Sequence, residues 1–441
     1  MKSSVDNTDK NIASFILLHA KKNPDKTAII IPKNSFKDEV ISEEKISFYN
    51  LSRRVRFFQN GLKKAGFNKG DRIIVMFDVS INLFAFLLAL FSLGMVAVFI
   101  DIGMSFKNIL SSIKSSQAKA IVSVNRLLKY AFFIPPLWKL KKYCVDKENI
   151  FLRPFSDLYI VDEQQALVKE VNDASAALIT FTSGSTGRPK GANRTHGLLV
   201  AQHKALLSHF LSKSDDVDMP CFPVVTLHNL CCGVTTVLPF IDFKKPKNVN
   251  AALIFNQIKK YGVNRICAPP SFMEKIVKHV QSTKENTDQI RQIGVGADPV
   301  SKLLCSKIVN VFNKADCQVI YGSTESEPIS SILMSEILSA KGEGNLVGKA
   351  AKVCKVEIVN LPKNVHEVCE KGIENYRANS FERGEICVSG PHVNKGYINN
   401  KKANEENKIF AKNNIVWHRT GDIGYFDEHE NIWLVGRKNA A

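Results

Sequence analysis

Thr180-Phe-Thr-Ser-Gly-Ser-Thr-Gly-Arg-Pro-Lys-Gly191 follows an apolar run at 176–179, and its composition decides how the rest of the chain is read. Gly184, Gly187 and Gly191 permit tight turns and a close approach of backbone to a bound group. Thr182, Ser183, Ser185 and Thr186 add hydroxyl donors, and Lys190 adds a cation. These are the parts of a loop that holds a polyphosphate. It is not a Walker loop, which reads G-x-x-x-x-G-K-[ST] and runs into a helix; here Pro189 precedes Lys190 and Gly191 follows it. A Gly/Ser turn joining two strands is the bland alternative, and it leaves the lysine and the run of hydroxyls unexplained.

Outward from this loop the chain alternates helical and strand patterns. Upstream, helices are expected over 12–21 and 49–64, with strands over 27–31, 71–77 and 118–124. Downstream, helices are expected over 197–212, 249–261 and 270–280, with strands over 264–268 and 318–321. That rhythm predicts an α/β fold with largely parallel sheets. From about 345 the texture changes to short strands (353–359, 384–388, 415–417, 432–435) separated by turn residues, which suggests a small β subdomain.

One stretch imitates a membrane span, with 22 uncharged residues between Asp78 and Asp101. Gly94 divides it into a helix-like piece, 81–93, and a β-rich piece, 95–100. Short apolar strands beside apolar helices are what a sheet covered on both faces needs, so a buried helix–strand unit is predicted.

Of 441 residues, 45% are hydrophobic and 23% charged, which excludes disordered, collagenous and coiled-coil chains. The net charge is +18, with ten Lys/Arg and three acids between 102 and 160. In the basic segment 126–153, Phe132, Phe133 and Trp138 are expected to pack inward from a surface helix beside the Lys139-Leu-Lys-Lys142 run; docking on an anionic leaflet is the other reading. The ten cysteines show no C-x-x-C spacing, so neither zinc nor a disulfide framework follows from them. The N-terminus lacks the apolar core of a signal peptide, and a reducing, cytoplasmic compartment is the default, with peripheral membrane association as its extension. No RNA-binding signature is present, so no nucleic-acid partner is expected.

The 180–191 string resembles the phosphate-loop signature of the adenylate-forming superfamily, which includes acyl-CoA synthetases, luciferase and peptide-synthetase adenylation domains. Three further motifs agree in order. Tyr321-Gly-Ser-Thr-Glu325 resembles the family's Y-G-x-T-E, His418-Arg-Thr-Gly-Asp422 its T-G-D, and Gly436-Arg437 its G-R at the hinge. Gly384-Glu385-Ile386 and Gly396-Tyr397 resemble the segment between them. The resemblance implies a large adenylation domain. It is divided here as two helix-flanked sheet subdomains at 1–180 and 181–344, a small β-barrel-like subdomain at 345–433, and the start of a hinge at 434–441.

It also implies ATP and Mg²⁺ as cofactor set, with coenzyme A as a possible co-substrate. A carboxylate would attack the α-phosphorus of ATP, expel pyrophosphate and leave an acyl adenylate. The family carries its phosphates on the loop (Thr182, Ser183, Gly184, Ser185, Thr186, Gly187, Lys190). By the same carry-over, Thr324 would donate to the α-phosphate and Glu325 would bind the metal. Tyr321, beside Gly322 and Ser323, would stack on adenine, and Gly296-Ala297 would leave room for it. Asp298 departs from the small residue usual there. Asp422 would accept from the ribose hydroxyls and Arg437 would reach the ribose–phosphate edge. His228, in Pro223-Val-Val-Thr-Leu-His-Asn-Leu-Cys-Cys-Gly233, falls where the family has a gate to the acyl pocket; a buried structural histidine is the plain alternative.

No acid lies between Phe222 and Phe240 to meet a substrate ammonium, so a long fatty or β-hydroxy fatty acid is expected over an amino acid. Local strings at 101–104, 223–239 and 418–438 look most like olefin-pathway β-lactone synthetases and fatty-acyl ligases. The second nucleophile would then be the substrate's own β-hydroxyl or coenzyme A. The family's lysine-bearing C-terminal domain follows Gly-Arg, and the sequence stops at Ala441; a nucleotide-binding protein that does not turn over is therefore the alternative reading.

Overall fold

The computed structural model describes residues 10–33, 42–146, 152–182, 189–241, 249–362 and 366–438. They form two compact units. The first comprises 1–26, 46–200 and 394–406; the second comprises 27–45, 201–393 and 407–441.

The first unit carries a seven-stranded sheet. In spatial order its strands are Arg153–Pro154, Lys141–Cys144, Ala120–Ser123, Arg72–Met76, Val96–Ile100, Ala176–Thr182 and Lys190–Thr195. All neighbours run parallel except the last pair, which is a hairpin. The span-like stretch is the helix–strand unit expected of it. Ser80 caps the helix Ile81–Ser92, Gly94 turns the chain at φ +67, and Val96–Ile100 lies buried between two parallel neighbours. No described helix is long and apolar enough to cross a membrane.

The basic segment differs from expectation. Pro135 and Pro136 cannot continue a helix, because proline lacks the amide hydrogen and clashes with the preceding turn. The chain instead makes two 3₁₀ turns, Ala131–Phe133 and Pro135–Leu137. Ala131, Ile134, Leu137 and Leu140 take the inward positions. Phe133 and Trp138 are left 77% and 62% exposed, so these two aromatics point outward rather than inward.

The second unit carries the larger sheet. Six strands of it run parallel: Thr27–Pro32, Thr235–Val237, Val217–Pro220, Arg265–Ala268, Gln292–Gly296 and Asp316–Ser323. Their apolar residues, among them Ile29, Met219, Ile266, Ile293 and Val319, are buried, as in strands covered on both faces. Helices Ala251–Tyr261, Pro270–Thr283 and Lys302–Val311 bury Ile258, Met273, Ile276 and Ile308 against them. After Ser323 the chain reverses, and the sheet continues antiparallel through Ser326–Leu333, Asn345–Ala350, Ile432–Arg437, Val416–Phe426, Gly384–Ser389 and Lys355–Val359. The late short strands of the sequence reading are therefore real, but among the described residues they extend an open sheet and close no barrel.

Candidate functional site

In open α/β sheets ligands bind beyond the carboxyl ends of parallel strands, and in the second unit the motif residues gather there. Gly296 ends its strand opposite Ile320; a Cβ at 296 would stand 2.6 Å from the Ile320 carbonyl oxygen, so only glycine lets the two strands meet. Ala297 follows at φ +75, and both it and Asp298 are exposed. On the neighbouring strand Tyr321, Gly322 and Ser323 lead into the reversal made by Thr324 and Glu325.

Tyr321 is 9% exposed, its ring packed among Ile329, Val347 and Ile386. Its hydroxyl donates to Asp422 Oδ2 at 2.6 Å. Asp422 lies within the strand Val416–Phe426, just after Gly421 at φ +74, and its Oδ1 pairs with Arg437 Nε at 2.9 Å. The Asp422 amide donates to Thr420 Oγ1 at 3.0 Å. Burial raises the Asp422 carboxyl above its ordinary range, opposed by the Tyr321 hydrogen bond and the Arg437 charge. Burial, the Asp422 charge and the hydrogen bond to it push the Tyr321 phenol well up, so it remains a donor at neutral pH. The result is a carboxylate held by donors on two sides.

Glu325 has a side chain 17% exposed, with His418 Nε2 4.0 Å from its Oε2. Ser323 Oγ is buried and finds no hydrogen-bond partner among the described residues. The Glu325 carboxylate is the kind of hard oxygen donor that suits a cation such as Mg²⁺.

In the first unit, Thr182 and Lys190 face each other across the hairpin that carries the phosphate-loop motif. Ser183, Gly184, Ser185, Thr186 and Gly187 lie outside the described residues. Lys190 is 8% exposed, with Nζ 5.7 Å from the centre of the Tyr397 ring. Gly191 needs its small size: a Cβ there would meet the Phe181 ring at 2.7 Å and Ile398 at 2.9 Å. The 396–400 segment grips this return strand through Ile398 N to Gly191 O (2.9 Å) and Asn400 Nδ2 to Pro189 O (3.3 Å).

His228 sits on the helix Pro223–Cys232, which follows the parallel strand Val217–Pro220. It is 2% exposed, and burial keeps it well below the usual histidine range, hence neutral. Its Nδ1 lies 3.0 Å from Nδ1 of His203, itself 5% exposed. Its Nε2 lies 3.5 Å from Cys232 Sγ, on the next helical turn.

The structure thus joins Tyr321, Asp422 and Arg437 in one bonded group, and sets Gly296 beside that strand. His203 was not found by sequence, and His418 was quoted there only as the first residue of a motif, with no role. The His228-x₃-Cys232 spacing was available, because residues four apart share a helix face, whereas His203 has no local signal.

An olefin beta-lactone synthetase of Xanthomonas campestris is 27% identical over 450 residues, covering 97% of this chain and 78% of that protein. A 4-coumarate–CoA ligase of Petroselinum crispum is 24% identical over 406 residues, covering 88% and 69%. Among solved structures, a long-chain-fatty-acid–CoA ligase from Archaeoglobus fulgidus superposes with a TM-score of 0.78 at 21% identity, covering 97% of this chain and 84% of that one. O-succinylbenzoate coenzyme A synthetase from Bacillus subtilis, in complex with AMP, superposes at 0.76 and 19% identity, covering 96% and 78%. These likenesses show the fold of adenylate-forming enzymes. The family of AMP-binding enzymes matches residues 18–398, and the chain belongs to it.

Proposed function

We propose that this protein activates a carboxylic acid, a long fatty or β-hydroxy fatty acid, as its acyl adenylate. The acid's carboxylate oxygen forms a bond to the α-phosphorus of ATP, the bond from that phosphorus to the bridging oxygen breaks, and pyrophosphate leaves. A poor acyl donor becomes a good one, since AMP leaves readily in the second step. The nucleophile there is the substrate's own β-hydroxyl or coenzyme A.

The observation that carries this reading is the Tyr321–Asp422–Arg437 group beside Gly296 at the carboxyl edge of the parallel strands. A ribose diol needs a fixed acceptor, and Asp422 is held as one by Tyr321 and Arg437. Thr324 donates to an α-phosphate oxygen, and Lys190 with the phosphate-loop hydroxyls takes the outer phosphates. Glu325 would hold Mg²⁺, which would supply charge neutralisation to the phosphates. Both reactants are anions, so positioning and neutralisation do most of the work. His228 is read as the gate to the acyl site.

The acid is read as long and apolar because no acidic side chain lies between Phe222 and Phe240. The names of similar proteins divide on the acid: one is a long-chain-fatty-acid–CoA ligase, others a 4-coumarate–CoA ligase and an O-succinylbenzoate coenzyme A synthetase. Exposed Phe133 and Trp138 beside Lys139 support peripheral contact with an anionic leaflet, where such substrates reside. Competition of acids against a fluorescent acyl-adenylate analogue tests the acid. Affinity rising from acetate to a C12–C16 acid, at about 0.8 kcal/mol per buried methylene, is expected; equal competition refutes it.

A further inference from the structure

We propose that His203, His228 and Cys232 form a site for one Zn²⁺ ion. One ligand atom from each residue lies within 4.8 Å of the other two. Tetrahedral Zn²⁺ with bonds of about 2.0–2.3 Å sets its ligand atoms about 3.3–3.7 Å apart, so small side-chain rotations complete the set. His228 and Cys232 project from consecutive turns of one helix, and His203 comes from the helix His196–His209. Regular helices hold ligands more firmly than loops do.

The ligand chemistry favours zinc over magnesium or calcium. Two imidazoles and a thiolate are borderline to soft donors, and no hard oxygen belongs to the set. Three protein ligands leave a fourth position for water. Both histidines are buried, while Cys232 is part-exposed and gives an entry path. Binding replaces the thiol proton, which passes to solvent as the Zn–S bond forms. The nearby buried Arg265 opposes added positive charge at His228, and Asp216, 3.3 Å from its Nη1, offsets part of that charge.

Occupancy has a consequence for the reaction that rests on the adenylation reading. A bound ion fixes His228 and blocks the acyl entrance, so zinc inhibits acid activation without displacing nucleotide. The metal site itself does not depend on that reading.

The test titrates the full chain, reduced and treated with chelator, with Co²⁺ in the absence of ATP and acid. One equivalent should bind and give thiolate-to-cobalt charge-transfer absorption, which one equivalent of Zn²⁺ removes. Cys232→Ser should abolish that absorption, and His203→Gln should weaken binding by about tenfold or more. No charge-transfer band, or a band that survives in Cys232→Ser, overturns the site. Zn²⁺ should then inhibit the wild type in acid-dependent pyrophosphate release, reversibly by chelator, and should spare Cys232→Ser. Stoichiometric Co²⁺ binding with undiminished activity under Zn²⁺ overturns only the entrance clause. Melting-temperature shifts with Mg-ATP, measured in parallel, report the nucleotide site on their own.

Discussion

Replacing Tyr321 by Phe removes one hydroxyl from a packed ring and leaves the ring in place. The hydroxyl donates to Asp422 at 2.6 Å, and the Asp422 side chain is only 13% exposed. A hydrogen bond to a charged, largely buried partner contributes about 1.5–3 kcal/mol. The other partner, Arg437, is 66% exposed, and an ion pair that open to solvent contributes at most about 1 kcal/mol. Tyr321→Phe should therefore cost more stability than Arg437→Ala, although Arg437 bears the formal charge. Trp417 and Trp433 are buried in the second unit and Trp138 is exposed in the first, so a Trp138→Phe background makes urea unfolding report on the second unit. With a slope of about 2–3 kcal/mol per molar urea, the midpoint should fall by roughly 0.5–1.5 M.

The pH dependence of that loss follows from Asp422. Its folded carboxyl is raised, mainly by burial, and losing the Tyr321 donor raises it further. A raised acid contributes stability below its unfolded value and loses it as pH rises through the folded one. The variant's deficit is thus full at about pH 8 and shrinks as Asp422 protonates on acidification. A midpoint shift below about 0.2 M, or an equal loss in Arg437→Ala, would refute the reasoning.

Mg-ATP should raise the melting temperature, and Asp422→Ala and Lys190→Ala should each reduce the shift; an unchanged melting curve at millimolar Mg-ATP removes the nucleotide assignment. Gly296→Ala places a Cβ 2.6 Å from the Ile320 carbonyl and should cost about 1–3 kcal/mol by forcing two strands apart, read by the same urea titration; a neutral result means the strands give way freely. Co-sedimentation with phosphatidylserine vesicles should be lost at high salt and in the triple change Phe133→Ser, Trp138→Ser, Lys139→Glu; no binding at low salt ends the leaflet proposal.

The parallel sheets were legible because strands buried on both faces leave short apolar runs between helical periods, as at 71–77 and 264–268. The apparent span at 79–100 was resolved by Gly94 alone. The outward aromatics at Phe133 and Trp138 were misjudged because a surface helix was assumed across Pro135-Pro136, whose effect on the turn outweighs the tendency of aromatics to bury. The motif residues could be named from the string, yet not their bonding: the Tyr321–Asp422 hydrogen bond joins residues 101 positions apart, and sequence gives no register for such pairs. His203 stayed hidden for the same reason, since a helix face shows its partners only once the fold brings them close.

Acid-dependent adenylation is tested most directly by exchange of labelled pyrophosphate into ATP with and without a C12–C16 or β-hydroxy fatty acid. Exchange should require the acid and Mg²⁺ and fall sharply in Asp422→Ala and Glu325→Gln. Phosphate and ADP formation in place of pyrophosphate, or exchange indifferent to every acid supplied, would contradict it.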